Sequence, residues 1–209
     1  MGLETPIQSK RPFLIGIGGE SLTGKSFTAK NIVNFSGETL RFTIFDSDQT
    51  RSIMVKKGIL TPPLYTEEKK QMVYNEMLEN VYNELLRKGN CIITTTFIKR
   101  DLRKRAMQLA ENLEINYLML RLKFSPELSE EELLRILNQR YEQKRSDPNN
   151  KSEGTPVIYF KGRQEFEPFD DKEKPFLIEL NANEQITYET YQQIIGALNG
   201  IKHKSLKTF

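Results

Sequence analysis

Apolar residues along this chain fall into short runs separated by amphipathic stretches, and the two patterns alternate. Residues 12–18 are apolar and β-prone, as are Leu40–Phe45, Cys91–Thr95, Tyr117–Leu122 and Phe176–Leu180. Each has the length of a strand. Between them, residues 27–34, 49–57, 66–88, 99–113, 130–144 and 187–198 suit helices. The longest helix has Met72, Met77, Leu78, Val81, Tyr82, Leu85 and Leu86 at helical spacing, a core stripe. Thr66 is its expected N-cap, Glu67 and Glu68 favour its positive end, and Gly89 ends it. Gly37 marks a turn, and Gly58 with Pro62-Pro63 breaks the chain before the long helix. This alternation predicts an α/β sandwich with a mostly parallel sheet.

Residues 146–156 are polar and rich in breakers. A segment of this kind inside a compact domain is functional or mobile. The reading is therefore one domain over 1–209, with a lid insert at about 135–168 and a frayed tail at about 202–209 that holds the solvated His203. The 37% hydrophobic and 28% charged composition is that of an ordinary soluble protein, and a net charge of +3 is too small to imply nucleic acid. Cys91 is the sole cysteine, so no internal disulfide forms. It reads as a small buried hydrophobe, and a reducing, cytoplasmic setting is expected. Met1–Arg11 lacks the apolar core of a signal peptide, and no run is long enough to span a bilayer. There is no repeat and no metal-ligand cluster of His and Cys.

The first strand leads into Gly19-Glu-Ser-Leu-Thr-Gly-Lys-Ser26, a complete G-x-x-x-x-G-K-[ST] loop, with a helix after it. Glycines let the backbone wrap an anion, inward-pointing N–H groups cradle phosphates, and the helix N-terminus adds partial positive charge. Gly19, Glu20, Ser21, Leu22, Thr23, Gly24, Lys25, Ser26 and Phe27 are thus the expected nucleotide ligands. Lys25 would reach the β- and γ-phosphates of ATP, and Ser26 Oγ would hold Mg²⁺. Ligands in such sheets bind at the carboxyl ends of strands. The loop, Asp46 with Asp48, Thr94–Thr96 and Asn181–Asn183 all fall at predicted carboxyl ends.

No Asn-Lys-x-Asp guanine signature is present. Asp46 and Asp48 share one site only because their strand ends there. Asp48 is read as the general base facing an acceptor hydroxyl and Asp46 as the holder of a Mg²⁺-bound water; helix capping is the alternative job for either. Arg51 is read as a ligand for a substrate anion, with a solvated surface arginine as the alternative. Thr96 is placed with the acceptor. Phosphoryl transfer needs charge compensation. The charged helix carries Arg135, Arg140, Lys144 and Arg145, of which Arg140 and Arg145 lead into the breaker-rich segment and are the expected lid arginines. The basic run Lys99, Arg100, Arg103, Lys104, Arg105 could bind an anionic substrate, although amphipathicity explains most of it.

Taken together the chain resembles the P-loop small-molecule kinases of the adenylate-kinase-like fold, the group of gluconate kinase, adenylylsulfate kinase, zeta toxins and AAA-domain-labelled kinases. The matching stretches are Gly19–Ser26, Phe45–Arg51, Tyr65–Glu68, Val73-Tyr74, Leu85–Gly89, Ile92–Phe97, Arg103 with Arg105-Ala106, Leu137–Arg140, Thr155–Tyr159 and Phe166–Pro168. The resemblance implies a parallel five-stranded sheet, a helical lid, ATP with Mg²⁺, and transfer of the γ-phosphoryl to a hydroxyl of a small molecule or nucleotide. It implies that the residue at Asp48 is base or substrate anchor, that an arginine at or near Arg140 holds the phosphates, and that Asn181–Asn183 help hold adenine. Substrate contacts are assigned to Asp48, Arg51, Thr96 and Arg103. One departure stands out: Ile93-Thr-Thr-Thr-Phe97 replaces Val-Asp-Ala-Thr-Phe, so Thr94 stands where a strand-end aspartate often orders the metal's water. Either Asp46 takes over that role or metal affinity and rate suffer. Two other readings follow, a nucleic-acid 5′-hydroxyl kinase from the basic run and tail, and a nucleotide-binding regulatory module from Thr94. Nucleic acid and membrane are not expected partners.

Overall fold

A computed structural model describes residues 11–147 and 153–201. The chain runs β1 (Phe13–Gly18), α1 (Lys25–Ser36), β2 (Phe42–Asp46), α2 (Ser47–Lys56), α3 (Glu67–Leu86), β3 (Asn90–Thr94), α4 (Arg100–Asn112), β4 (Asn116–Lys123), α5 (Glu130–Arg145), α6 (Pro156–Glu165), β5 (Leu177–Asn181) and α7 (Tyr188–Gly200). The strands form one sheet in the order β2-β3-β1-β4-β5, and every pairing is parallel. This is a five-stranded, all-parallel α/β fold of the P-loop NTPase type.

Period-two alternation builds the three layers. In β1, Phe13, Ile15 and Ile17 face a core with Ala29 and Ile32 of α1, Leu133 and Leu137 of α5, and Ile194 and Leu198 of α7. Leu14, Cys91, Ile93, Tyr117 and Met119 face the other way, against Tyr74, Met77, Val81 and Leu85 of α3 and Ala106 and Ala110 of α4. Central strands covered on both faces must be apolar throughout, which is why these runs are unbroken. Cys91 is fully buried, and burial pushes its thiol up to about 12. The tail from 202, with His203, and residues 148–152 of the breaker-rich segment lie outside the described residues.

Caps explain several helix starts. Thr66 Oγ1 accepts from Lys69 N, and Ser129 with Glu132 forms a capping box at α5. Two differences from the sequence expectations matter for the site. Helix α2 begins at Ser47, earlier than expected, because Asp46 caps it. Helix α6 was not expected at all. Thr155 caps it and Pro156 occupies its first turn, a start signal embedded in a stretch otherwise full of breakers.

Candidate active site

The chain leaves β1 at Gly18 and turns at once. Gly19 has φ +144°, and a Cβ there would lie 2.5 Å from the Leu122 carbonyl oxygen and 2.7 Å from Thr23 Oγ1, so only glycine fits. Its N–H donates to the Thr96 carbonyl at 3.1 Å, tying the loop to the end of β3. Gly24, left-handed at φ 93°, precedes α1, whose first turn has neither a side-chain cap nor an acidic residue. Among the described residues, no side-chain cap or acidic residue of its own first turn therefore answers its positive dipole end. Lys25 Nζ donates to the Glu20 carbonyl at 2.8 Å, and Thr23 Oγ1 donates to the same oxygen at 2.9 Å. Burial lowers the Lys25 pKa to about 8; Lys144 pushes the same way, against Asp48, Asp46 and Glu20. Ser26 and Phe27 are exposed at the loop's end.

Asp46 sits at the carboxyl end of β2 and uses both carboxylate oxygens. Oδ1 accepts from the N–H groups of Asp48 at 2.9 Å and Gln49 at 3.1 Å, capping α2. Oδ2 accepts from Ser26 Oγ at 3.0 Å and Thr94 Oγ1 at 2.6 Å. Capping and a place beside the loop serine are thus two faces of one residue. The pairing of a serine hydroxyl with a carboxylate fits Mg²⁺, which takes hard oxygen donors, keeps several waters and needs few protein ligands beside substrate phosphates.

Asp48, in the first turn of α2, lies within electrostatic reach of Lys25 and Lys144. Its Oδ1 accepts from Arg51 Nη1 at 2.8 Å. Arg51 is not the solvated arginine that the sequence left open. It is only 8% exposed, its Cζ lies 4.3 Å from the centroid of the Tyr65 ring, and its Nε has no hydrogen-bond partner. Tyr65 also lines an open groove of about 560 Å³ with Pro62, Pro63, Leu64, Thr66 and Glu153. The strongest candidate base and a cleft large enough for a small molecule therefore adjoin.

Arg140 of α5 bridges two loops. Nη1 donates to the Leu22 carbonyl at 2.9 Å and Nη2 to the Ala182 carbonyl at 2.6 Å, while its guanidinium lies 5.0 Å from the Phe124 ring. It thereby joins the phosphate loop to the Asn181–Asn183 turn. That turn is self-made: Asn181 Oδ1 accepts from Asn183 N, and its amide donates to Glu184. Arg145 is exposed, and no contact places it at the loop among the described residues. The cation that faces inward from this turn is Lys144. Burial lowers its pKa, with Asp48 and Asp46 opposing, and a Cβ on Gly154 would lie 3.4 Å from its Nζ. A lysine one residue earlier on the helix thus occupies the place assigned to Arg145; helical phase was the signal that could have found it.

Arg103 is a correction. It is 2% exposed and spends its guanidinium on Glu173 at 2.6 Å and on the carbonyls of Phe97, Ile98, Glu167 and Pro168, with Phe169 4.4 Å away. It fastens the 166–173 segment to α4 and has no donor left for substrate. The rest of the basic run is likewise engaged: Lys99 with Glu167, Arg100 with the Pro168 carbonyl, Lys104 with Asp170, and Arg105 with Gln71 and Asn75. These contacts give the basic run a structural role in the fold; the tail that also motivated a nucleic-acid acceptor lies outside the described residues. No helix among the described residues is long and apolar enough to cross a membrane.

Residues 14–154 match a family model described as an AAA domain. No curated protein matches the chain in sequence. Among solved structures, the Chaetomium thermophilum Kti12 in complex with ADP-AlF3 superposes with a TM-score of 0.64 at 16% identity, covering 90% of this chain and 100% of that one. The Mycobacterium tuberculosis APS kinase in complex with AMPPNP and APS gives 0.61 at 14% identity, covering 91% and 99%. A gluconokinase from Sinorhizobium meliloti gives 0.54 at 16% identity, covering 91% and 93%. At these identities the likeness is one of fold.

Proposed function

The chain belongs to the AAA domain family, and from that premise we propose that it is an ATP-dependent kinase that phosphorylates a hydroxyl of a small molecule or nucleotide. The observation that carries the reading is the convergence of Lys25 and Lys144 with Asp46 and Asp48 at the phosphate loop, beside an open groove. The nucleotide complexes of the APS kinase and Kti12 support ATP as the donor.

In this reading the α1 N-terminus and the Gly19–Ser26 backbone hold the β- and γ-phosphates, and Lys25 leaves the Glu20 carbonyl to meet them. Asn181 and Asn183 lie by the adenine. The acceptor lies in the groove against Tyr65, with Arg51 and Thr96 as further ligands. Asp48 orients its hydroxyl and takes the proton as the acceptor oxygen bonds to the γ-phosphorus and the bond to the ADP oxygen breaks. Lys25, Lys144 and Arg140 spread the transition-state charge. Mg²⁺ held near Ser26 and Asp46 would neutralise phosphate charge. Residues 135–168 serve as the lid that keeps water from the γ-phosphate.

Asp48→Asn should leave Mg²⁺–ATP binding intact and abolish transfer across a panel of polyols, sugars and nucleosides. Full turnover in that variant would sink the base assignment. Lys25→Ala should lose the thermal stabilisation by ATP that wild type shows, about 2.7 kcal/mol at 100 times the dissociation constant. The second reading, a nucleotide-dependent regulatory module, is favoured by one feature, the hydroxyl of Thr94 at a place where the resemblance implies that an aspartate is common. It expects ATP binding with no acceptor phosphorylated.

A further inference from the structure

Glu20 is the second residue of the phosphate loop, and its side chain is out of place by simple electrostatics. It is 3% exposed, and it lies in a loop whose task is to receive a polyanion. A buried carboxylate there needs a cation, or it repels the ligand. Its ion-pair partner is Arg121 of β4, which pairs with Gly18 in the sheet register, one residue before the loop; Lys25 also lies within electrostatic reach of Glu20. Arg121 Nη2 lies 3.7 Å from Glu20 Oε1, and Nη1 lies 3.4 Å from Glu179 Oε1, a carboxylate that also takes Lys123 at 2.5 Å. Gly162 of α6 packs over Glu20: a Cβ there would come within 3.6 Å of Glu20 Cγ.

Arg121 itself lies over an aromatic ring. Its Cζ lies 3.7 Å from the centroid of Phe166, Phe166 meets Phe169 at 5.6 Å, and Phe169 in turn lies 4.4 Å from Arg103, which is ion-paired to Glu173. A ladder of charges and rings thus runs from the underside of the phosphate loop to α4. A cation–π contact at this distance is made more often by a guanidinium, which can also stack on a ring, than by an ammonium. The Glu20 carbonyl, whose side chain the ladder grips, is also the oxygen to which Lys25 and Thr23 donate.

We propose that Arg121 is a positioning residue for nucleotide binding: it neutralises Glu20 and fixes that residue's peptide, so that the loop admits phosphates and Lys25 has a defined place to leave. The inference rests on the reading that the loop binds ATP. It makes the Glu20 charge harmful to nucleotide binding once Arg121 is removed.

The test is a charge cycle read by Mg²⁺–ATP binding, using a fluorescent ATP analogue, with melting temperatures measured alongside. Arg121→Gln should weaken binding by about tenfold or more. Glu20→Gln, which removes the charge and keeps the loop backbone, is the reference for the cycle. The double variant should return to within about threefold of Glu20→Gln. Arg121→Lys should fall between wild type and Arg121→Gln, because it keeps the charge and loses the guanidinium. A merely structural arginine would lower the melting temperature without this rescue of affinity. Unchanged binding in Arg121→Gln, or a double variant as weak as the single, overturns the proposal. If Arg121→Gln fails to fold, the double variant decides: binding like that of Glu20→Gln supports the proposal and weaker binding overturns it. Failure of wild type to bind ATP, with Lys25→Ala indistinguishable from it, overturns the ATP reading itself.

Discussion

The parked lysine makes a quantitative prediction about pH. Lys25 titrates at 10.5 when unperturbed and at about 8 in the fold, chiefly because burial disfavours its charged form. Between those values the unfolded chain holds a proton that the folded chain has released, so stability must rise with pH through the window from about 8 to 10.5. A difference of about 2.5 corresponds to about 3 kcal/mol over the whole window. Between pH 7.5 and 9.5 the gain is on the order of 2 kcal/mol. Lys25→Met removes this group and leaves the other titrating side chains, so their contributions cancel when wild type and variant are compared. The assay is urea unfolding of both proteins without nucleotide at the two pH values. Wild type should gain about 2 kcal/mol on the variant as pH rises. With saturating Mg²⁺–ATP the gain should shrink, since phosphates draw the proton back onto Lys25. Parallel pH curves for the two nucleotide-free proteins would refute the argument that Lys25 is held in a desolvated place against the Glu20 carbonyl.

Other perturbations probe the frame around the site. Arg103→Met leaves Glu173 buried without its cation and should destabilise the fold by about 3–5 kcal/mol in urea unfolding, and replacing Glu173 by Met as well should recover much of that. Gly154→Ala would place a methyl 1.9 Å from Ser21 Oγ, so ATP binding should weaken, and Ser21→Gly in the same chain should restore it. Thr94→Asp would set a second carboxylate against Asp46; titration of Mg²⁺ followed by thermal melting should show a larger cation-dependent stabilisation than in wild type. An equal response in both proteins would argue against Mg²⁺ at this carboxylate.

Most of the fold was legible because its cause is local. Five apolar runs become five strands, and Thr66 and Ser129 start helices where short-range capping dictates. The phosphate loop was legible for the same reason, since Gly19 and Gly24 are demanded by backbone angles within the loop itself. What escaped depends on distance in sequence. Arg103 reads as one more base in a charged helix, and its burial is decided by Glu173, 70 residues on. The sequence left Arg51 between an anion ligand and a surface arginine, because its cover, Tyr65, comes from the far side of the Gly58–Pro63 break. Lys144 and Arg145 are neighbours of like charge, and only the phase of α5 against Leu133 and Leu137 decides which one faces the carboxylates. Helix α6 lay behind Thr155-Pro156, a start signal outweighed by the breakers before it.

Thr94, at a strand end where the family resemblance led us to expect an aspartate, works through Asp46. A carboxylate at position 94 would stand beside Asp46, and two like charges that close disfavour each other without a cation. A threonine instead donates to Asp46 Oδ2 at 2.6 Å, so the single carboxylate is oriented by hydrogen bonds before any metal arrives. Ser26 donates to the same oxygen, and the α2 amides hold the other one. Four donors on one carboxylate also position Asp48, because the cap that fixes Asp46 sets the first turn of α2 on which Asp48 stands. In this arrangement a single carboxylate is preorganised, and the same small cluster sets the loop serine, the candidate metal ligand and the candidate base relative to one another.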